Sequence, residues 1–409
     1  MTTKDTGVSI SATNTCRDDA HAAAGKKRRR WWHRLLSVIA AILTGLVAVA
    51  TIVSAWAGAI DPEEIPVAGV CVMVLPVLAP LLFVVFILDI IWWRKCAVAA
   101  GIALAVCLPR ILGVYPLSWP AGSISEEDKP RAWTLLTYNC SEWLDLDKKY
   151  PGETNPAISY ILQTDADIVC IQEADYLCVE HSVRITSAQI DSISTRYPYI
   201  IFNDHNQLLL SKHPAEALPL GYDRRRYGNG DIAGYRIHIG GHPLTIFNVH
   251  LQSIGLTDDD KELYSGLADI SGSQGGDIAN PLHRVRYDLV AKLSAANVMR
   301  ARQAKRLVQY IRKFGGTNCV VCGDFNDVPG CYALGLIEDQ GLRQVYPAVG
   351  LGYMHTYNRN SMYFRIDHVL WRGEFAPHSI TRGDIRNSDH YPLLTSFLWN
   401  PDATSASAD

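Results

Sequence analysis

The stretches Leu35–Ile60 and Ile65–Leu88 carry no charged side chain. Each is long enough, at a helical rise of about 1.5 Å per residue, to cross about 30 Å of hydrocarbon. A helix that is apolar all round must sit in lipid or be wholly buried. A third apolar run, Cys96–Pro120, is interrupted by Arg110, which either snorkels or marks a kinked end. A cleavable signal peptide is the rival reading of the first run. Lys26–Arg30 is a basic leader and Ala55-Trp56-Ala57 resembles a cleavage site. The apolar core is too long for that reading, and two more apolar runs follow. About three transmembrane helices are therefore expected over residues 31–120.

Lys and Arg placement sets the expected orientation. The flank before the first run holds Lys26 to Arg30 and Arg34. The first connection, Asp61-Pro62-Glu63-Glu64, has no basic residue, and the second has Arg94-Lys95. This alternates inside, outside, inside. Three spans would make the chain an integral protein of the cell membrane with everything after Pro120 outside the cytoplasm. If the third run does not cross, the rest faces the cytoplasm.

Around the membrane region, residues 1–30 read as a disordered, basic-ended tail. Residues 121–130 form a polar linker, and 401–409 a flexible tail of small residues. Residues 131–400 could form one large α/β domain. The formal net charge is −3, from 38 basic and 41 acidic residues. That balance argues against a dedicated nucleic-acid binder but not against an enzyme acting on nucleic acid. Of the ten cysteines, Cys170, Cys319 and Cys322 sit in strand-like apolar runs. Cys319-x-x-Cys322 is half a zinc site with no second pair, so it reads as core.

Strand-like runs recur through the domain: Trp133–Tyr138, Ile168–Ile171, Tyr199–Phe202, Gln207–Leu210, Tyr235–Ile239, Leu244–Val249, Asn318–Val321, Ile366–Trp371 and Leu393–Leu398. Helical patterns fall at about Pro156–Gln163, Val183–Arg196 and His283–Lys313. Short links such as Gly240-Gly241-His242-Pro243 imply hairpins, hence mixed or antiparallel sheets. The stretch Leu251–Leu282 is long for a loop and rich in Gly, Ser and Asp, as functional or disordered segments are.

Chemistry gathers at the strand ends. One strand ends in Asn139, another in Glu173, another in His250. A fourth ends in Asp324, with Asn326 two residues on and so on the same side of extended chain. Asp367 opens a further strand, and Ser388-Asp389-His390-Tyr391-Pro392 precedes the last one. Each alone is ordinary, because Asn, Asp and Gly end strands anyway. Sharing one edge, they would crowd carboxylates that raise one another's pKa. A hard divalent cation relieves that repulsion, and oxygen donors without a cysteine cluster favour Mg²⁺ or Mn²⁺ over Zn²⁺. Such a site suits phosphoryl chemistry.

The ordered set Thr-Tyr-Asn139, Ile-Gln-Glu173, Asn-Val-His250-Leu, Gly-Asp324-Phe-Asn326, Ile-Asp367-His-Val and Ser-Asp389-His390-Tyr-Pro resembles the endonuclease/exonuclease/phosphatase superfamily. The resemblance covers about Arg131 to Leu398. It implies an α/β fold, a four-layer β-sandwich of two mixed sheets flanked by helices. It implies Glu173 as principal metal ligand, assisted by Asn139 and Asp389, with Mg²⁺ or Mn²⁺ as cofactor. Asp324 would position or deprotonate the attacking water and Asn326 would contact the scissile phosphate. His390, oriented by Asp367, would face that phosphate, and His250 would stabilise its charge from the other side. His355-Thr356-Tyr357 matches a Thr-aromatic pair often found near such sites.

The chain departs from plain nucleases in its Leu251–Leu282 segment and its membrane region. Arg224-Arg225-Arg226, Arg284 and Arg286 could meet an anionic substrate or be a solvated charged face. The expected activity is membrane-anchored, metal-dependent hydrolysis of phosphodiester or phosphomonoester bonds. The expected substrate is a phosphorylated lipid or a nucleic acid. A membrane scaffold that binds phosphoryl ligands without turnover is the non-enzymatic alternative.

Overall fold

Helices α1 (Ser9–Trp56), α3 (Leu75–Trp92) and α4 (Arg94–Val114) carry the three apolar runs, and α2 (Ala68–Val72) is a short helix between the first two. The computed structural model describes residues 9–143, 154–174, 185–203, 206–221, 231–254, 279–359 and 362–401, with the backbone alone for 9–27 and 279–288. The expected N-terminal and C-terminal tails thus fall mainly outside the described side chains. The chain divides into two compact units, Met1–Ile52 with Pro76–Leu108, and Val53–Leu75 with Pro109–Asp409.

The helices over Arg28–Ala59, Leu75–Trp92 and Arg94–Val114, which make up most of the first unit, are long and apolar enough to cross a membrane, with mean hydropathy of 2.6, 2.5 and 2.1. Their mutual contact buries Ala48, Leu82, Ala100 and Ala103, with Val47, Ile52, Phe86 and Leu104 packed against them. Thr44 Oγ1 donates to Asp89 Oδ2 at 2.8 Å in a buried pair. Leu46, Val77 and Val98 remain 63%, 69% and 63% exposed.

The second unit is built on two six-stranded sheets. The first contains β1 (Ala132–Asn139), β2 (Ile168–Gln172), β3 (Tyr199–Asn203), β4 (Gln207–Ser211), β13 (Phe375–Arg382) and β14 (Leu393–Trp399), in the order β13-β14-β1-β2-β4-β3. The second contains β5 (Ala215–Ala217), β6 (Asp231–Ile239), β7 (His242–His250), β8 (Cys319–Asp324), β9 (Arg343–Gln344) and β12 (Asp367–Arg372), in the order β5-β6-β7-β8-β12-β9. A hairpin, β10 (Tyr357–Arg359) and β11 (Met362–Phe364), stands apart.

Strand periodicity sorts the side chains into layers. Trp133 and Leu135 of β1 face Val320 and Cys322 of β8 between the sheets. Leu136 and Tyr138 face outward onto α5 (Pro156–Thr164) and α6 (Ser187–Arg196) through Ile158, Ile161 and Ile193. Cys319 and Val321 face outward onto the 36-residue helix α7 (Ala279–Phe314) and onto α8 (Tyr332–Glu338). The result is the expected four-layer sandwich. Cys319 and Cys322 point to opposite faces of one strand, into different cores, which rules them out as a shared metal pair.

Both sheets are mixed. β1 pairs with β2 in parallel, as β7 does with β8, while the neighbours β14 and β12 run antiparallel. The C-terminal ends of the parallel strands therefore lie beside the N-terminal starts of the antiparallel ones. β5, the β10–β11 hairpin and β13 were not signalled by alternation. β13 is an edge strand broken by a register shift at Pro377, where the apolar period is lost.

Candidate active site

The register brings the polar strand ends together. Asn139 pairs with Gln172, one residue before Glu173. His250 and Asp367 both pair with Asp324. His390 stands just before β14, whose Leu393 pairs with Thr137 of β1. Asp324, Asn326, Glu173, Asp389 and His390 line one cavity of about 300 Å³.

Gly323 makes the end of β8 possible. Its φ is +132°, and a Cβ there would lie 2.1 Å from the Val249 carbonyl oxygen. The next residue, Asp324, is 1% exposed. Its Oδ1 accepts from the Asn326 backbone N–H at 2.7 Å, and its Oδ2 accepts from Asn139 Nδ2 at 3.0 Å and Asn326 Nδ2 at 3.1 Å. Asn139 Nδ2 also donates to Glu173 Oε1 at 3.0 Å. Amide hydrogens thus sit between two carboxylates, where positive charge is favoured. His250 Nε2 is 3.5 Å from Glu173 Oε1 and 3.7 Å from Asp324 Oδ2.

Opposite lies a buried imidazole. His390 Nδ1 is 2.9 Å from Asp367 Oδ2, and its Nε2 is 3.6 Å from Asp324 Oδ2. Burial alone would lower the His390 pKa. The Asp367 and Asp324 carboxylates outweigh it and hold the imidazole well above its ordinary value, in the charged form. Asp367 is fixed in turn by Thr356, whose Oγ1 accepts from the backbone N–H groups of Ile366 and Asp367 at 3.0 Å. Tyr357 sets its ring edge-on to His390, centroids 5.1 Å apart. Ser388 Oγ accepts from the His390 N–H at 3.1 Å and donates to the Asn139 carbonyl at 2.8 Å. Sequence reasoning gave Ser388 no role, although it stands in the quoted motif. Beneath the site, Gln172 Nε2 donates to Asn248 Oδ1 at 2.6 Å and to Thr137 Oγ1 at 3.1 Å, a polar floor between the sheets.

All eight predicted site residues therefore meet at one rim. Arg224-Arg225-Arg226, the side chains of Arg284 and Arg286, and most of Leu251–Leu282 lie outside the described residues. Two features escaped the sequence altogether. Arg300 Nε stands 3.3 Å from Asp327 Oδ2 in a buried pair under the cavity, and Met73, from the connection between the first two long helices, lines the cavity wall. A larger groove of about 710 Å³ beside Pro109–Ser118 has, among the described residues, Arg110, Glu338 and Arg343 as its ionisable lining and gathers no comparable constellation of them.

The buried group Asp324, Asp367 and His390 has ligand-type atoms within 4.8 Å of one another and could hold a metal ion. Asp367 is already committed to a charged imidazole, however, and a cation there would compete with it. Glu173 and Asp389 offer further hard carboxylate oxygens on the same cavity. Asp389 has a longer, half-exposed partner, Arg359, at 3.6 Å. That donor set fits a small divalent cation such as Mg²⁺ or Mn²⁺.

Comparison with known proteins gives the same class. Residues 29–113 match a domain of unknown function, and no curated protein matches the chain. Among solved structures, an endonuclease/exonuclease/phosphatase from Beutenbergia cavernae is similar at 13% identity, over 66% of this chain and 72% of that one, with a TM-score of 0.43. The human Nocturnin catalytic domain is similar at 15% identity over 66% and 95% of the two chains, TM-score 0.43. A humanized Danio rerio TDP2 is similar at 14% over 65% and 99%, TM-score 0.41. The model of the Endonuclease/Exonuclease/phosphatase family matches residues 151–390, more than half of the chain, and the chain belongs to that family.

Proposed function

We propose that this chain is a membrane-anchored, divalent-metal-dependent phosphoesterase. The observation that carries the reading is a buried, amide-held Asp324 whose Oδ2 stands 3.6 Å from Nε2 of His390, itself fixed by Asp367 at 2.9 Å, beside one cavity. In this reading Asp324 Oδ2 orients a water and accepts its proton as the water oxygen bonds to phosphorus. The bond from phosphorus to the leaving oxygen breaks. His390 Nε2, charged and fixed by Asp367, stabilises the charge that develops on the phosphoryl oxygens. Asn326 and His250 add donors from the β7–β8 side. Glu173, Asn139 and Asp389 would hold the cation, which supplies charge neutralisation at the phosphate.

Hydrolysis of soluble phosphate mono- and diesters by the full-length protein should need Mg²⁺ or Mn²⁺ and stop with EDTA. Equal rates with EDTA would reject the metal-dependent reading, and binding without turnover would favour a scaffold.

The catalytic unit is placed outside the cytoplasm in this reading. Support comes from the basic flanks at Lys26–Arg34 and Arg94-Lys95, and from the acidic first connection. That connection docks on the catalytic unit: Asp61 and Glu63 meet Lys305 at 2.5 and 2.6 Å. The two must share a side, so α3 and α4 together leave and return. A C-terminal reporter active only outside should light up; a purely cytoplasmic signal would reverse the orientation.

A further inference from the structure

The cavity at the site is lined by two kinds of side chain. Beside the polar groups of Glu173, Asp324, Asn326, Asp389 and His390, the apolar side chains of Met73, Leu289, Leu293, Met362, Phe364 and Ile366 line it. Hydrolysis at phosphorus needs only the polar groups. Of the apolar ones, Met362 and Phe364 come from the β10–β11 hairpin, whose Tyr357 stands against His390, and Met73 comes from the connection that immediately precedes α3.

That connection is seated on the catalytic unit as a built part of the cleft. Ala57, Ala68 and Val72 pack with Val328, with Met73, Phe364 and Ile366 against them. Two glycines allow the close approach. A Cβ on Gly58 would lie 1.8 Å from the Gly330 carbonyl oxygen, and one on Gly69 would lie 2.3 Å from Asn297 Nδ2. Beside the apolar contact, Arg302 Nε meets Glu63 Oε1 at 2.7 Å and Tyr332 OH donates to Asp61 Oδ2 at 3.1 Å.

Among the described residues, the cleft offers a polyanion few cations. A protein that tracks a nucleic-acid backbone spends Lys and Arg on successive phosphates. Among the described residues, the Lys and Arg side chains lining this cavity are Arg300 and Arg359, and each faces a carboxylate, Asp327 at 3.3 Å and Asp389 at 3.6 Å, which leaves the single imidazole of His390 to meet a phosphoryl group. A substrate that fills the cavity must instead offer one phosphoryl group and a contiguous apolar body.

Resting on the phosphoesterase reading, we infer that the cleft takes a phosphate ester of an apolar chain, an amphiphile of the lipid surface, with its chain along Met73, Met362 and Phe364. The first interhelical connection then serves as a specificity wall as well as a tether.

Alkyl phosphates and p-nitrophenyl alkyl phosphodiesters, from methyl to decyl and below their micellar concentrations, test this on the full-length protein in amphipol. With Mg²⁺ present, kcat/KM should rise with chain length, by up to about fourfold for each methylene buried. Met73→Ser and, independently, Phe364→Ser should flatten that dependence. A flat dependence in the unaltered protein, or a single-stranded oligonucleotide cleaved with higher kcat/KM than the decyl esters, would overturn the inference and leave the phosphoesterase reading standing. Should no ester of any length be hydrolysed, the phosphoesterase reading fails. Binding of non-hydrolysable alkyl phosphonates then decides the cleft: affinity rising with chain length supports it, and constant affinity overturns it.

Discussion

His368, next to the site's Asp367, shows how single residues divide between chemistry and support. It is fully buried, its Nε2 lies 3.0 Å from the Asp327 carbonyl oxygen, and its ring meets Phe325 edge-on. Burial and the nearby Arg365 guanidinium push its pKa down to about 3, so it is neutral where His390 is charged. An unfolded chain binds a proton at His368 near its ordinary value of about 6.5, which the folded chain refuses. Stability should therefore fall as pH drops below about 6.5, by at most about 1.4 kcal/mol per pH unit from this group. Thermal unfolding of His368→Gln across that range should show a shallower slope, and an unchanged slope would contradict the assignment. The motif Ile-Asp367-His368-Val named both residues, but nothing in their order says which imidazole or carboxylate is solvated. The burial and neighbours that separate His368 from His390 are products of the fold.

At the scale of elements, strands were the most legible part. Apolar runs such as Cys319–Cys322 are buried on both faces, and their bounds fall where polarity flips. The shared rim was readable as well, because parallel strands in one sheet present their C-terminal ends together. The docked connection was not legible. Asp61 and Glu63 signalled topology, and Met73 fell inside the second expected span, because contacts with Lys305 and Phe364 span much of the chain and leave no local period. The ion pairs are half-exposed, with Lys305 at 38% and Asp61 at 21%, so each pair should stabilise docking by only about 0.5 kcal/mol and weaken with salt. Burial would raise the Asp61 pKa, but hydrogen bonds from Lys305, the Glu63 N–H and Tyr332 hold it below its ordinary value. Glu63 is held down by Lys305 and Arg302, and Lys305 is raised by both carboxylates against the effect of burial. The acids' contribution is full above about pH 4 and is lost as pH falls through their depressed values; that of Lys305 is lost only above about pH 10. Protease cleavage of the connection should therefore be pH-independent between those limits and rise in acid. Gly58→Val should expose the connection at every pH, and protection unchanged in Gly58→Val would refute the docking contact.

At the scale of the whole second unit, two segments that border the apolar helices are docked on the sandwich. One is the docked connection. The other is the end of α4, where the buried Arg365 donates to the Gly113 carbonyl and Ser118 Oγ donates to the Pro347 carbonyl at 3.0 Å. The sandwich and its rim of Asn139, Glu173, His250, Asp324, Asp367 and His390 were anticipated from their order along the chain. The apolar lining of the cleft was not, since it assembles from Met73, α7 and a hairpin that carries no strong strand signal. The central claim is that this rim hydrolyses phosphate esters through Asp324 and His390. The most direct test is the Mg²⁺-dependent turnover of a soluble phosphodiester by the full-length protein and by Asp324→Asn and His390→Ala, with thermal unfolding followed in parallel. In each variant kcat should be lower by about 10²–10³-fold while both remain folded. Folded variants that keep the original kcat would contradict the claim.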